Sequence, residues 1–142
     1  MEKFKFLEHT ADTFIESYGK NLEEAFENSA KGLMKLMIEN IEETGSEISK
    51  KIEVQGNDLQ ELLFEFLTQF LIYHDAENLV FSKVNVKKIN KNDKYSLVAE
   101  ISGEEFDPEK HEGGVAVKAI TYHEMQIDKK PEKVTVKVLV DI

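Results

Sequence analysis

Three short stretches of the chain carry side chains that could do chemistry. Near the start, Glu8, His9, Thr10 and Asp12 fall within LEHTAD. Carboxylate and imidazole groups this close can bind a cation or shuttle a proton. Equally, His9 and Thr10 can cap a turn while Asp12 accepts bonds from backbone amides. At the other end, VTVKVLVDI closes on Asp141 and Ile142, so a main-chain carboxylate lies one residue from an acidic side chain. Two carboxylates so placed suit a hard divalent cation such as Ca²⁺, Mg²⁺ or Mn²⁺. The bland alternative is a frayed terminus with solvated charges. The third stretch, VKAITYHE, holds Lys118 and His123. In an unbulged strand these two point to opposite faces. They form an acid–base pair only if a bulge re-aims one of them; otherwise Lys118 is a solvated strand residue.

Composition narrows the chemistry. With 142 residues the chain fits one compact domain. A formal net charge of −10 argues against binding RNA or DNA through bulk electrostatics, which needs a basic footprint. It suits cations and basic protein surfaces instead. The absence of cysteine removes disulfides, thiolate catalysis and zinc–sulfur sites, and agrees with a reducing compartment. The N-terminus lacks a signal-peptide apolar region. The longest apolar run, LLFEFLTQFLIY, is too short and interrupted to span a bilayer. The expected location is the cytoplasm. No phosphate-loop, dinucleotide-loop, H-E-x-x-H or G-x-S-x-G pattern is present.

The elements that must position these residues follow from periodicity. FKFLEH and TFIESYG read as strands. NLEEAFENSAKGLMKLMI reads as a helix capped by Asn21, with Glu23 and Glu24 in its first turn and Gly32 marking close packing. KKIEVQ is a strand. NDLQELLFEFLTQFLIYHD is a broadly apolar core helix, with Asp58 and Glu61 spaced as a capping box and His74–Asp75 as its C-terminal cap. LVFSKVNVKKI, a turn at NKND and YSLVAEISGEEF read as a hairpin. After a polar loop, VAVKAITYHEMQI is expected as one long strand, with Lys118 mid-strand beside Ile120 and Tyr122. In VTVKVLVDI, Val134, Val136, Val138 and Val140 share one face, and Thr135, Lys137, Leu139 and Asp141 the other. The total predicts an α+β domain: a largely antiparallel sheet of about six or seven strands with two main helices.

Taken in order and spacing, HTAD, NLEEAFENSAKGL, DLQELLFEFL, SGEEFD, VKAITYHEM and the terminal DI resemble the archease family, over essentially the whole chain. The resemblance implies a single archease domain over residues 1–142. It implies a non-enzymatic protein cofactor of the RtcB-type tRNA-splicing RNA ligase. That ligase joins RNA ends through a histidine–guanylate intermediate and depends on divalent metal. The cofactor speeds guanylylation, allows multiple turnover and broadens nucleotide use. Carried over residue by residue, the resemblance implies a divalent-metal site at Asp12, Asp141 and the Ile142 terminus. Calcium comes first as the ion, with magnesium or manganese as alternatives. Lys118 is implied as a further functional residue. His9, beside the site in sequence, is a candidate ligand or a group bonded to a ligand. Two other readings stay open: a chaperone-like partner of a tRNA-modifying methyltransferase, and a metal-dependent hydrolase using the same carboxylates.

Overall fold

In the computed structural model of the chain, the described residues are 2–9 and 12–142, with only the backbone of Glu8 and His9. Thr10 and Ala11, and with them the middle of the HTAD turn, lie outside the described residues.

The alternation of valines sets the centre of the fold. Strand β7 (Val134–Asp141) buries Val134, Val136, Val138 and Val140, each 4% exposed or less, as its spacing predicts. It is flanked on one side by β2 (Asp12–Gly19), which also pairs with β1 (Phe4–His9), and on the other by β6 (Ala119–Lys129). These four strands form an antiparallel sheet in the order β1-β2-β7-β6. The remaining strands, β3 (Ile48–Gly56), β4 (Leu79–Lys91) and β5 (Tyr95–Glu105), make a second antiparallel sheet in the order β3-β5-β4. The α+β class and the seven strands agree with the sequence; the division into two sheets is new.

Helix α1 (Leu22–Met37) and helix α2 (Leu59–Glu77) each pack against strands of both sheets and join them into one core. Both helices start as their sequences dictate. The Glu24 amide donates to the Asn21 side chain at 2.9 Å, and the Glu61 amide donates to Asp58 at 2.7 Å. Glu61 reaches back to the amide of Asn57, one residue before the cap, at 2.9 Å. The end of α2 differs from expectation. Its cap is Asn78, in the left-handed conformation at φ 58°, while His74 Nδ1 instead lies 3.1 Å from the Leu79 carbonyl. An asparagine tolerates that backbone where most residues do not.

The core holds Phe26, Phe66, Phe70 and Phe81, all at most 1% exposed. Burying such a side chain stabilises the fold by about 1.5–3 kcal/mol. Phe64 and Ile72 do not join the fully buried face of α2: Phe64 is half-buried and Ile72 is 50% exposed. Gly32 does mark close packing, since a Cβ there would lie 2.9 Å from Ile15 Cγ2 and 3.0 Å from the Phe4 ring. Two glutamates tie α1 to the edge of the second sheet. Glu27 accepts from the Val86 amide at 3.0 Å and Glu23 from the Ile89 amide at 3.3 Å. They satisfy β4 donors that an open edge would offer to another chain.

Candidate metal and partner site

Because β2 and β7 are neighbours, the two ends of the chain meet. Asp12 opens β2 and Asp141 closes β7, and they are direct cross-strand partners. Asp141 also pairs with Ala119, the first residue of β6, and Asp12 with the backbone of His9 on β1. One row therefore crosses all four strands at one end of the sheet: His9, Asp12, Asp141, Ala119. Residues directly opposite share a face, with Cβ atoms about 4.5–5.5 Å apart. The Asp12–Asp141 face is the one shared by the Phe14–Leu139 and Glu16–Lys137 pairs, away from the valine core. Both aspartates are half-buried. The side chain of His9 lies outside the described residues, so its candidate role as a ligand is not placed.

Two carboxylates set directly opposite repel each other. A cation between them would turn that repulsion into attraction, and the donors that the resemblance implies would all be oxygen, which suits hard divalent ions. Among the described residues, no group of three or more His, Cys, Asp and Glu side chains is placed to hold a metal. An ion there would be held by few protein oxygens, with its remaining positions filled from solvent or a partner. Magnesium commonly binds in this manner, and calcium sites usually recruit more protein oxygens.

The backbone of Lys118 adjoins the same row, by a route different from the expected one. It is not mid-strand: β6 begins one residue later, at Ala119. The cause is the length of its partner. β7 ends at Asp141, so residues before Ala119 have little strand left to pair with. They are held by the end of α1 instead. The Gly114 and Val115 amides donate to the Met37 and Leu36 carbonyls at 2.7 and 2.9 Å. Only glycine fits at 114, where a Cβ would lie 2.4 Å from the Leu36 carbonyl oxygen. The Lys118 amide then donates to the Asp141 carbonyl at 2.7 Å. This fixes the Lys118 backbone beside the carboxylate row and leaves the residue exposed.

Further along β6 the register breaks between Thr121 and Gln126, which pair with Leu139 and Lys137. Four residues of β6 thus face one of β7, a bulge larger than the usual two-to-one kind. The bulge falls between Lys118 and His123 and contains His123, yet no hydrogen bond or ion pair joins the two among the described residues. His123 instead lies 3.2 Å from the carboxylate of Glu124, with both side chains exposed. Glu124 sits in the left-handed region at φ 51°, unusual for a residue with a Cβ. Tyr122, 50% exposed, stacks on Phe64 of α2 with ring centroids 4.5 Å apart. Periodicity gave no sign of this pair, because bulged residues leave the period-two pattern.

Sequence reasoning also passed over His111, which is 3% exposed. Its Nδ1 accepts from the Asp107 amide at 2.8 Å, so Nε2 carries a proton and donates to Glu104 at 2.7 Å. Lys110 reaches the same carboxylate at 2.7 Å, and Phe106 stacks on the imidazole. The Lys110 hydrogen bond, helped by a backbone bond from Gly45 and that of His111, holds the Glu104 carboxyl below its ordinary value against some opposing desolvation. This network anchors the polar loop that leads to Gly114.

Comparison with known proteins agrees with this architecture. Residues 4–142 match the family model described as the Archease protein family (MTH1598/TM1083). Protein archease of Pyrococcus furiosus is 46% identical over 132 residues, covering 93% of this chain and 92% of that protein. Protein archease of Sulfurisphaera tokodaii is 42% identical over 142 residues, covering all of both. The solution structure of Methanobacterium thermoautotrophicum protein 1598 superposes with a TM-score of 0.86 at 33% identity, covering all of both chains. The crystal structure of a Thermotoga maritima protein described as an archease, possible chaperone, shares the fold at a TM-score of 0.58 and 19% identity, covering 100% of this chain and 99% of that one. The chain belongs to the archease family.

Proposed function

We propose that this protein is a non-enzymatic activator of an RtcB-type RNA ligase. Asp12, Asp141 and the Ile142 carboxylate hold a divalent cation, and Lys118 contacts a phosphate or a carboxylate in the complex. The observation that carries the reading is the row at the sheet end. Acids from opposite ends of the chain stand directly opposite each other, and the Lys118 backbone is bonded to the second of them. When bound, the ion supplies a concentrated positive charge for nucleotide oxygens or for ligands of the ligase metal. The chain's own residues do the positioning. The β2–β7 pairing fixes the two carboxylates, and the amide of Lys118 fixes where its ammonium group can reach. Lys118 then acts as a point charge on a flexible stem.

The net charge of −10 supports docking on a basic enzyme surface in preference to direct capture of RNA. The test is guanylylation and turnover of a purified RtcB-type ligase with and without this protein. Faster guanylylation and more than one ligation per ligase are expected. An unchanged ligase overturns the reading. Hydrolysis of phosphoesters by the isolated protein would point to the metal-dependent hydrolase. Stimulation of a tRNA methyltransferase in place of the ligase would point to the chaperone-like partner.

A further inference from the structure

The Tyr122–Phe64 pair lies on the helix side of the sheet, away from the carboxylate row. Ile120, just before the bulge, pairs with core-facing Val140, and Tyr122 is placed on that side by its stack on Phe64 of α2. The site proposed above makes no use of it. Three observations set it apart. The Tyr122 ring is held face to face by Phe64, at 4.5 Å and 10°, yet the residue stays 50% exposed. It is carried on a bulge of the outermost strand of its sheet, next to a residue held at φ 51°. Such strained bulges re-aim side chains at functional edges. Third, the support helix is acidic around the ring. On α2, Glu61 lies one turn before Phe64 and four residues before Glu65, both half-buried, and Asp58 caps that helix. These three carboxylates add to burial in holding the Tyr122 hydroxyl above its ordinary value.

We infer that the Tyr122–Phe64 stack is a docking platform for an arginine side chain on the basic surface of a partner protein. A flat ring with one supported face takes a planar group, either a nucleobase or a guanidinium. The surrounding charge decides between them. A nucleotide would bring its phosphate toward Glu61, Glu65 and Asp58. A guanidinium gains both the ring face and those carboxylates, and stacks better than an ammonium. Prior rigidity helps as well, because the ring is already ordered by Phe64 and loses little freedom on binding.

The inference goes beyond the ligase reading and does not depend on it, so its test uses a chemically defined probe. The full-length protein is titrated with the peptide acetyl-Arg-Gly-Arg-amide, with its Lys-Gly-Lys counterpart and with GMP, while the ring resonances of Tyr122 and Phe64 are followed by NMR. The arginine peptide is expected to shift both rings saturably. The lysine peptide should bind several-fold more weakly and GMP should leave the rings unmoved. In Tyr122→Leu, which keeps an apolar contact with Phe64, affinity should fall by about 3- to 30-fold, the range of a cation–π contact. Glu61→Gln with Glu65→Gln should weaken the arginine peptide while leaving the stack's own resonances in place. Ring shifts with GMP in place of the arginine peptide, no ring shifts with any probe, or equal arginine binding by Tyr122→Leu would each overturn the inference.

Discussion

Replacing Asp141 with asparagine should change stability in opposite directions depending on metal. The amide is nearly isosteric, and the main-chain bond from the Lys118 amide to residue 141 is retained. What changes is one of two negative charges set directly opposite each other. Like charges at such a position cost about 0.2–1 kcal/mol. In chelator, Asp141→Asn should therefore be as stable as the wild type or up to about 1 kcal/mol more stable. For a domain of this size that is at most about 2–4 °C in Tm. With a divalent ion at a hundred times its Kd, the wild type should gain about 2.7 kcal/mol. That gain corresponds to roughly 5–10 °C, and the variant should gain little of it. Differential scanning fluorimetry of both proteins, in chelator and in Ca²⁺, Mg²⁺ and Mn²⁺, reads every one of these states. Equal metal-induced shifts in the two proteins would refute the carboxylate row as a cation site. A variant that melts well below the wild type in chelator would show that Asp141 has a structural partner stronger than the repulsion argued here.

Further outcomes follow from the same geometry. Lys118→Ala should melt within about 1 kcal/mol of the wild type, because its exposed side chain leaves no cavity. If it makes a charge-assisted bond in the complex, worth roughly 1.5–3 kcal/mol, ligase stimulation should drop about 10- to 150-fold. Gly114→Ala should loosen the segment before β6, since its methyl would meet the Leu36 carbonyl oxygen at 2.4 Å; faster amide exchange at Val115 and Lys118 checks it. The Glu104 carboxyl titrates below its ordinary value of 4.5 in the folded protein, chiefly through its bond from Lys110. Its contribution is fully present above that value and is lost as pH falls through the lower folded one. Acid titration by circular dichroism should accordingly show a shallower acid limb for Glu104→Gln than for the wild type.

Local chemistry was legible in the sequence, and long-range geometry much less so. Asn21 and Asp58 announced their helices because a cap depends on a side chain and an amide three residues away. The valine face of β7 followed from strict alternation. Strand length did not, because a strand ends where its partner ends: β6 starts at Ala119 because β7 stops at Asp141. The cap of α2 fell on Asn78 and not on His74–Asp75, since a backbone in the left-handed region decides it, and composition near a helix end only suggests where. Asp12 and Asp141 were linked in the sequence only by family resemblance. No periodicity encodes the register between the first and last strands of a sheet, and the structure supplies that register independently. Tyr122 was hidden for a related reason, because a bulge erases the pattern from which a facing is read.

Whether the paired acids activate the ligase is read by single-turnover guanylylation of a purified RtcB-type ligase in the presence of wild type, Asp12→Asn, Asp141→Asn and the double variant. Ligase binding by each is measured in parallel. The wild type is expected to accelerate guanylylation. Each variant should still fold and bind the ligase, but lose most of the acceleration, and the double variant should be little worse than either single one because the two acids act as a unit. Full acceleration by a folded double variant would contradict this expectation.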